Sequence, residues 1–104
     1  MSDPVWSEQF RIAAKQWVAL DAAANLLEET KSAYLSQMMQ KRGDVPVSHA
    51  ERDAKASFEW TDFITKMVKA REDANLAKVR CEFLRMKFNE WQSAEANARS
   101  EKRL

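Results

Sequence analysis

From Trp60 onward, apolar side chains fall at alternating spacings of three and four: Trp60, Phe63, Met67, Ala70, Ala74, Ala77, Cys81, Leu84, Phe88 and Trp91. This period is that of a helix packed along one seam. A matching series runs through Phe10, Ala13, Trp17, Leu20, Ala24, Leu27, Lys31, Tyr34 and Met38, with only Lys31 out of character. The internal punctuation between the two series is Gly43-Asp-Val-Pro46, where glycine permits a positive φ past a helix end and proline pulls its predecessor out of helical geometry. Lys41 and Arg42 suit the negative end of the first helix, and Ser48-His-Ala-Glu51 matches a capping box for the next. At the amino end, Asp3 is placed to cap a helix that has Pro4 at its first position. The pattern predicts one all-α domain over residues 1–104, with helix 1 over about 4–41, a turn over 42–48 and helix 2 over about 49–101.

Folding back through that turn gives an antiparallel two-helix hairpin of long, coiled-coil-like helices. In that register Trp17 faces Ala74, Met67 faces Ala24, and Phe10 lies near Ala77 and Cys81, so large side chains meet small ones. The flanks of the seam on helix 2 are basic, with Arg71, Lys78 and Arg85 on one side and Lys66, Arg80 and Lys87 on the other. Asp73 is the exception. Two parallel copies joined through this seam would repel, whereas helix 1 offers Asp21, which the antiparallel register brings near Arg71, and Glu28. At 1.5 Å per residue the helices measure ~57 and ~80 Å, leaving helix 2 to overhang by ~20 Å. A break near Arg71-Glu-Asp-Ala74 would shorten it, although no glycine or proline marks one.

One hairpin does not account for every apolar position. Leu76, Val79, Phe83 and Met86 point almost directly away from the seam that holds Cys81 and Leu84, and helix 1 carries a fainter echo at Val5, Ile12, Ala19, Leu26 and Ala33. Phe88 and Trp91 are expected on the overhang, with only Val5 and Trp6 near. Leaving Leu76, Val79, Phe83, Met86, Phe88 and Trp91 in water forfeits on the order of 10 kcal/mol, more than the net stability of many small domains. The expectation is association into a helical bundle, with a dimer favoured and these six side chains at the interface with a copy or partner protein.

Composition narrows the rest. Seventeen Lys and Arg stand against 16 Asp and Glu, the hydrophobic share is 45%, and a single Gly and two Pro make a many-stranded fold untenable. No apolar run approaches the length of a membrane span, and the first residues lack a basic stretch followed by a hydrophobic one. With Cys81 alone there is no internal disulfide. These features predict a soluble, cytoplasmic protein with no membrane contact.

Catalytic chemistry finds no foothold. His49 is the only histidine, which excludes multi-histidine metal sites within one copy and leaves it as a solvated first-turn residue. Cys81 sits at a seam position and reads as inert core, despite Arg80 and Arg85 nearby. Glu28-Glu29 and Glu72-Asp73 occupy adjacent helix positions that do not face each other, and one glycine cannot build a phosphate-cradling loop. No enzyme activity and no cofactor are expected. Residues 66–104 do hold ten Lys or Arg against six Asp or Glu. Nucleic-acid contacts through Arg80, Arg85, Lys87, Arg99, Lys102 and Arg103, with Phe88 or Trp91 stacking on a base, are therefore the alternative to protein binding.

The stretch from Arg80 to Leu104, with its core Arg85-Met-Lys-Phe-Asn-Glu-Trp91, resembles small helical proteins encoded in phages and prophages beside genes for DNA recombination and single-strand handling. It covers about a quarter of the chain and brings no catalytic residues with it. What this resemblance implies is an accessory role in phage DNA metabolism, or interference with a host defence complex, exercised by contact. The functional expectation is a non-enzymatic interaction or scaffold protein, with accessory DNA binding by the basic end of helix 2 as the alternative.

Overall fold

The computed structural model describes residues 3–103. It consists of α1 (Asp3–Gln40), α2 (Val47–Lys55) and α3 (Phe58–Arg103), with no strand among the described residues. The molecule measures 84 × 16 × 16 Å, a rod about two helices thick. Facing residues run in reverse order along α1 and α3. Tyr34 stacks with Trp60 and Phe63, Arg71 binds Asp21 and Glu28, Lys78 lies over Trp17, and Ala13 packs with Cys81 and Leu84. The seam read from the sequence is the packed face: on α3 every member from Trp60 to Trp91 is buried or half-buried, and on α1 only Leu20 and Lys31 are exposed.

α1 stops where expected. Gly43 takes a φ of 77°, and its N–H donates to the Gln40 carbonyl at 3.2 Å while that of Arg42 donates to Met39 at 3.0 Å, satisfying the last carbonyls of the helix. The side chains of Asp3 and Pro4, expected to cap and open α1, lie outside the described part of the chain.

The second half departs from the single helix predicted over 49–101. Residues 47–55 form a separate helix, and α3 begins only at Phe58. Ser57 makes the new start: its Oγ accepts the Trp60 N–H at 3.3 Å, the bond of an N-cap to the third helical residue, and donates to the Ala54 carbonyl at 2.6 Å. The expected capping box at Ser48 and Glu51 does not form. α2 opens after Pro46, whose φ of −55° already suits a helix, with no side-chain cap, and Glu51 pairs with Lys55 at 2.7 Å instead. Arg42 serves α2 and not its own helix, donating to the Asp53 carbonyl near the negative end of α2 at 3.3 Å.

Geometry explains the break. Continued straight, residues 47–55 would run past the end of α1 into solvent. Bent at 56–57, α2 lies back on α1 and buries Ala50 and Ala54. α3 is unbroken through residues 71–77. At 46 residues it spans ~69 Å, and extending the register puts the start of α1 level with about residue 92, so the overhang is ~16 Å, shorter than expected.

Two apolar clusters hold the rod. Near the turn, Met38, Ala54 and Trp60 are buried with Tyr34, Leu35, Met39, Phe63 and Ile64 against them. Toward the far end, Ala13, Cys81 and Leu84 are buried beneath Trp6, Phe10, Ala14 and Trp17. Between the clusters Ala24 and Ala74 are almost completely covered, with Leu27 and Met67 half-buried along the same seam. Cys81 is a free, buried thiol in the second cluster.

Candidate contact surface on the last helix

α3 is regular from Phe58 to Arg103, so side-chain directions follow from 100° per residue. Leu76, Val79, Phe83 and Met86 form one ridge opposite the seam and remain 66%, 62%, 53% and 58% exposed. No element of the subunit covers them. The echo on α1 is exposed as well, through Val5, Ile12, Ala19, Leu26 and Ala33. Phe88 and Trp91 differ from expectation: both are half-buried, and their rings stack with centroids 6.0 Å apart at 25°. The apolar surface left to water at the end of the rod is thus smaller than expected.

Sequence reasoning missed other exposed apolar groups, among them Phe58, 80% exposed, with Val18, Val47 and Val68. Phe58 carried a readable signal, since it stands 18 residues, five full turns, before Leu76 and so on the same side of α3. It escaped because a continuous helix through residue 57 gave no reason to start a second series there.

The two grooves between α1 and α3 differ in chemistry. One is lined by Leu20, Leu76 and Ala77 with Gln16, Asp73 and Arg80. The other is closed by Arg71, whose guanidinium donates from Nε and Nη2 to both Glu28 carboxylate oxygens at 2.8 Å, from Nη1 to Asp21 Oδ1 at 2.7 Å, and from Nη2 to Asn25 Oδ1 at 2.6 Å. Its planar fork fits this arrangement as a lysine ammonium would not. Hydrogen bonding from Arg71 holds the Glu28 carboxyl below its usual range, and the same bond with its Asp21 counterpart raises Arg71. One heptad on, the Lys78 ammonium lies 5.9 Å from the Trp17 ring centroid.

A pH prediction follows from the depressed Glu28 carboxyl. Stability from this pair is full above the unfolded carboxylate pKa of about 4.3 and lost as pH falls through the lower folded value. Thermal melts from pH 6 to pH 3 should therefore show a steeper acid-side loss for the native chain than for Arg71→Met. Parallel curves would mean that the bond contributes orientation only.

The basic residues proposed for nucleic acid do not share one face. Arg80 and Lys87 lie on one flank of α3 and Arg85 on the other, while Arg99, Lys102 and Arg103 continue along the overhang. Lys87 is half-buried, with its ammonium 5.6 Å from the Phe83 ring centroid and 3.4 Å from Glu90 Oε2. Arg80, Arg85 and Arg99 form no ion pair among the described residues. Nor do three potential metal ligands come together among those residues, and no helix there is long and apolar enough to cross a membrane. No protein-family model, curated protein or solved structure matches this chain.

Proposed function

We propose that this chain is a non-enzymatic helical interaction protein, an antiparallel hairpin that self-associates into a bundle and acts by protein–protein contact. The observation that carries the reading is the uncovered ridge of Leu76, Val79, Phe83 and Met86, each more than half exposed in the single subunit. Isolated exposed apolar residues are ordinary, but a continuous large-side-chain ridge at helix-packing spacing is the form of an interface. Completing its burial is worth on the order of 4–7 kcal/mol per copy. For two copies, once the cost of immobilising both bodies is met, this places dissociation in the micromolar range or weaker. The resemblance of residues 80–104 supports an accessory role of this kind in phage or prophage DNA metabolism.

Equilibrium sedimentation over 1–100 μM tests the association. The native chain should exceed its 12.0 kDa monomer mass, and Phe83→Glu should weaken association at least tenfold while helicity by circular dichroism is unchanged, because this side chain is exposed within the subunit. A clean monomer throughout the range sinks self-association.

A second reading, binding of single- or double-stranded DNA through the basic half of α3, is favoured by Arg80, Arg85 and Arg99, which form no ion pair among the described residues. Fluorescence titration with oligonucleotide at low salt should then show affinity falling steeply as salt rises. Replacing Arg85 and Arg99 together should reduce the slope of log K against log salt by roughly two. Absence of binding at low salt removes this reading.

A further inference from the structure

We infer that the occupant of the α3 ridge is a second copy of the same ridge, running parallel and in register. This rests on the self-association proposed above and adds orientation and contacts. The ridge is bounded at its two ends by Glu72 and Glu90, which occupy the corresponding positions one step before Leu76 and after Met86. Either orientation of a second α3 brings carboxylates together at those ends, so the ends do not decide between them. The flanks do.

On one flank of the ridge lie Asn75, Glu82 and Asn89; on the other lie Asp73, Arg80 and Lys87. When two helices pair about an axis perpendicular to them, each flank meets its own kind. Antiparallel copies therefore set Glu82 near Glu82 and Arg80 near Arg80 of the second copy, two like-charge contacts that offset the attraction between Lys87 and Asp73 across the same pair. When they pair about an axis parallel to them, each flank meets the opposite one. Glu82 then lies beside Lys87 of the second copy, five residues farther along, the relation by which flanking charges set orientation in parallel coiled coils. This pair occurs twice per dimer, and Asn75 falls beside Arg80 in the same way.

The subunit is poised for this. Glu82 is exposed and has no ion-pair partner among the described residues of its own chain. The Lys87 ammonium already stands against the edge of the ridge, 5.6 Å from the Phe83 ring centroid, held only by a 3.4 Å contact to Glu90. Cys81 points into the seam with α1 and takes no part.

Engineered cysteines in the Cys81→Ala chain read the orientation, because a residue on the axis of an in-register parallel pair meets its own counterpart at disulfide distance. Val79→Cys alone should oxidise rapidly to a covalent dimer. In an antiparallel pair, Val79 faces residue 83 of the other copy, so a cross-link only in a mixture of Val79→Cys and Phe83→Cys chains overturns the inference. Failure of both to cross-link, with the native chain assembling in sedimentation and the variants folded by circular dichroism, overturns it while leaving self-association standing. A monomeric native chain removes both. Charge reversal gives a readout without thiols: Glu82→Lys should weaken association about fivefold and Glu82→Lys with Lys87→Glu should restore it. An unchanged constant for the single reversal contradicts the parallel pair.

Discussion

Trp60→Ala is expected to destabilise the protein by about 3–5 kcal/mol, a large part of the total for a chain this size. Trp60 is 8% exposed and lies where all three helices converge, with Met38 of α1 and Ala54 of α2 buried beside it. Its ring is nearly parallel to those of Tyr34 and Phe63, at centroid distances of 6.4 and 6.1 Å, and Tyr34 and Phe63 are themselves 4.5 Å apart, so the three rings form a triangle. Removing the indole leaves a void that the stiff turn of α3 just after Ser57 cannot close, and it takes away the platform on which α2 folds back. Chemical denaturation should show the loss in midpoint, and hydrogen exchange should show α2 losing protection first. A change below about 1 kcal/mol would mean that the bend at 56–57 stands without this cluster.

Leu84→Ala should cost about 2–4 kcal/mol, and the damage should appear at the other end of the rod. Leu84, 7% exposed, is buried with Ala13 and Cys81 under Trp6, Phe10 and Trp17. Because an elongated molecule holds two separate clusters joined by an alanine-rich seam, the void is not shared with the turn. Protection against exchange should fall over residues 5–20 of α1 and residues 78–91 of α3 while the surroundings of Trp60 keep theirs. Uniform loss of protection along the whole chain would show that the two clusters unfold as one unit. The double variant discriminates further: costs that add point to independent ends, and a combined loss far from the sum points to coupling through the seam.

Much of this architecture was legible in particular residues. The three–four spacing from Trp60 to Trp91 fixed which side of α3 is covered, and the matching series on α1 fixed its partner face, because a helix must bury an apolar stripe as a unit. Asp21 and Arg71 were readable as neighbours from the flanks of those stripes, although Asn25 was not expected in the same network, nor Glu28 as its bidentate member. Gly43 located the end of α1 because few other residues tolerate its φ. The ridge of Leu76, Val79, Phe83 and Met86 was equally plain, since it follows from helical period alone.

Other features had no local signature. Ser48 and Ser57 are both chemically competent caps, and the difference between them is worth only ~1 kcal/mol. The chain starts α3 at Ser57 because that choice lays Ala50 and Ala54 on α1, an advantage that exists only once α1 is alongside. Phe88 and Trp91 looked stranded on paper, yet a shorter overhang and their mutual stacking half-bury them. Arg42 suits the negative end of its own helix and instead serves the neighbouring one across the bend.

The sequence by itself determined the helical period, the two faces that must pair, the end of the first helix and the existence of a surplus apolar ridge, because each depends on spacing within one element. Only the tertiary structure decided where the second half bends, which cap is used, how much of each aromatic is covered and how Arg71 divides its donors. Those outcomes turn on small free-energy differences between local alternatives, and the balance is tipped by surface that a neighbouring helix supplies only after folding.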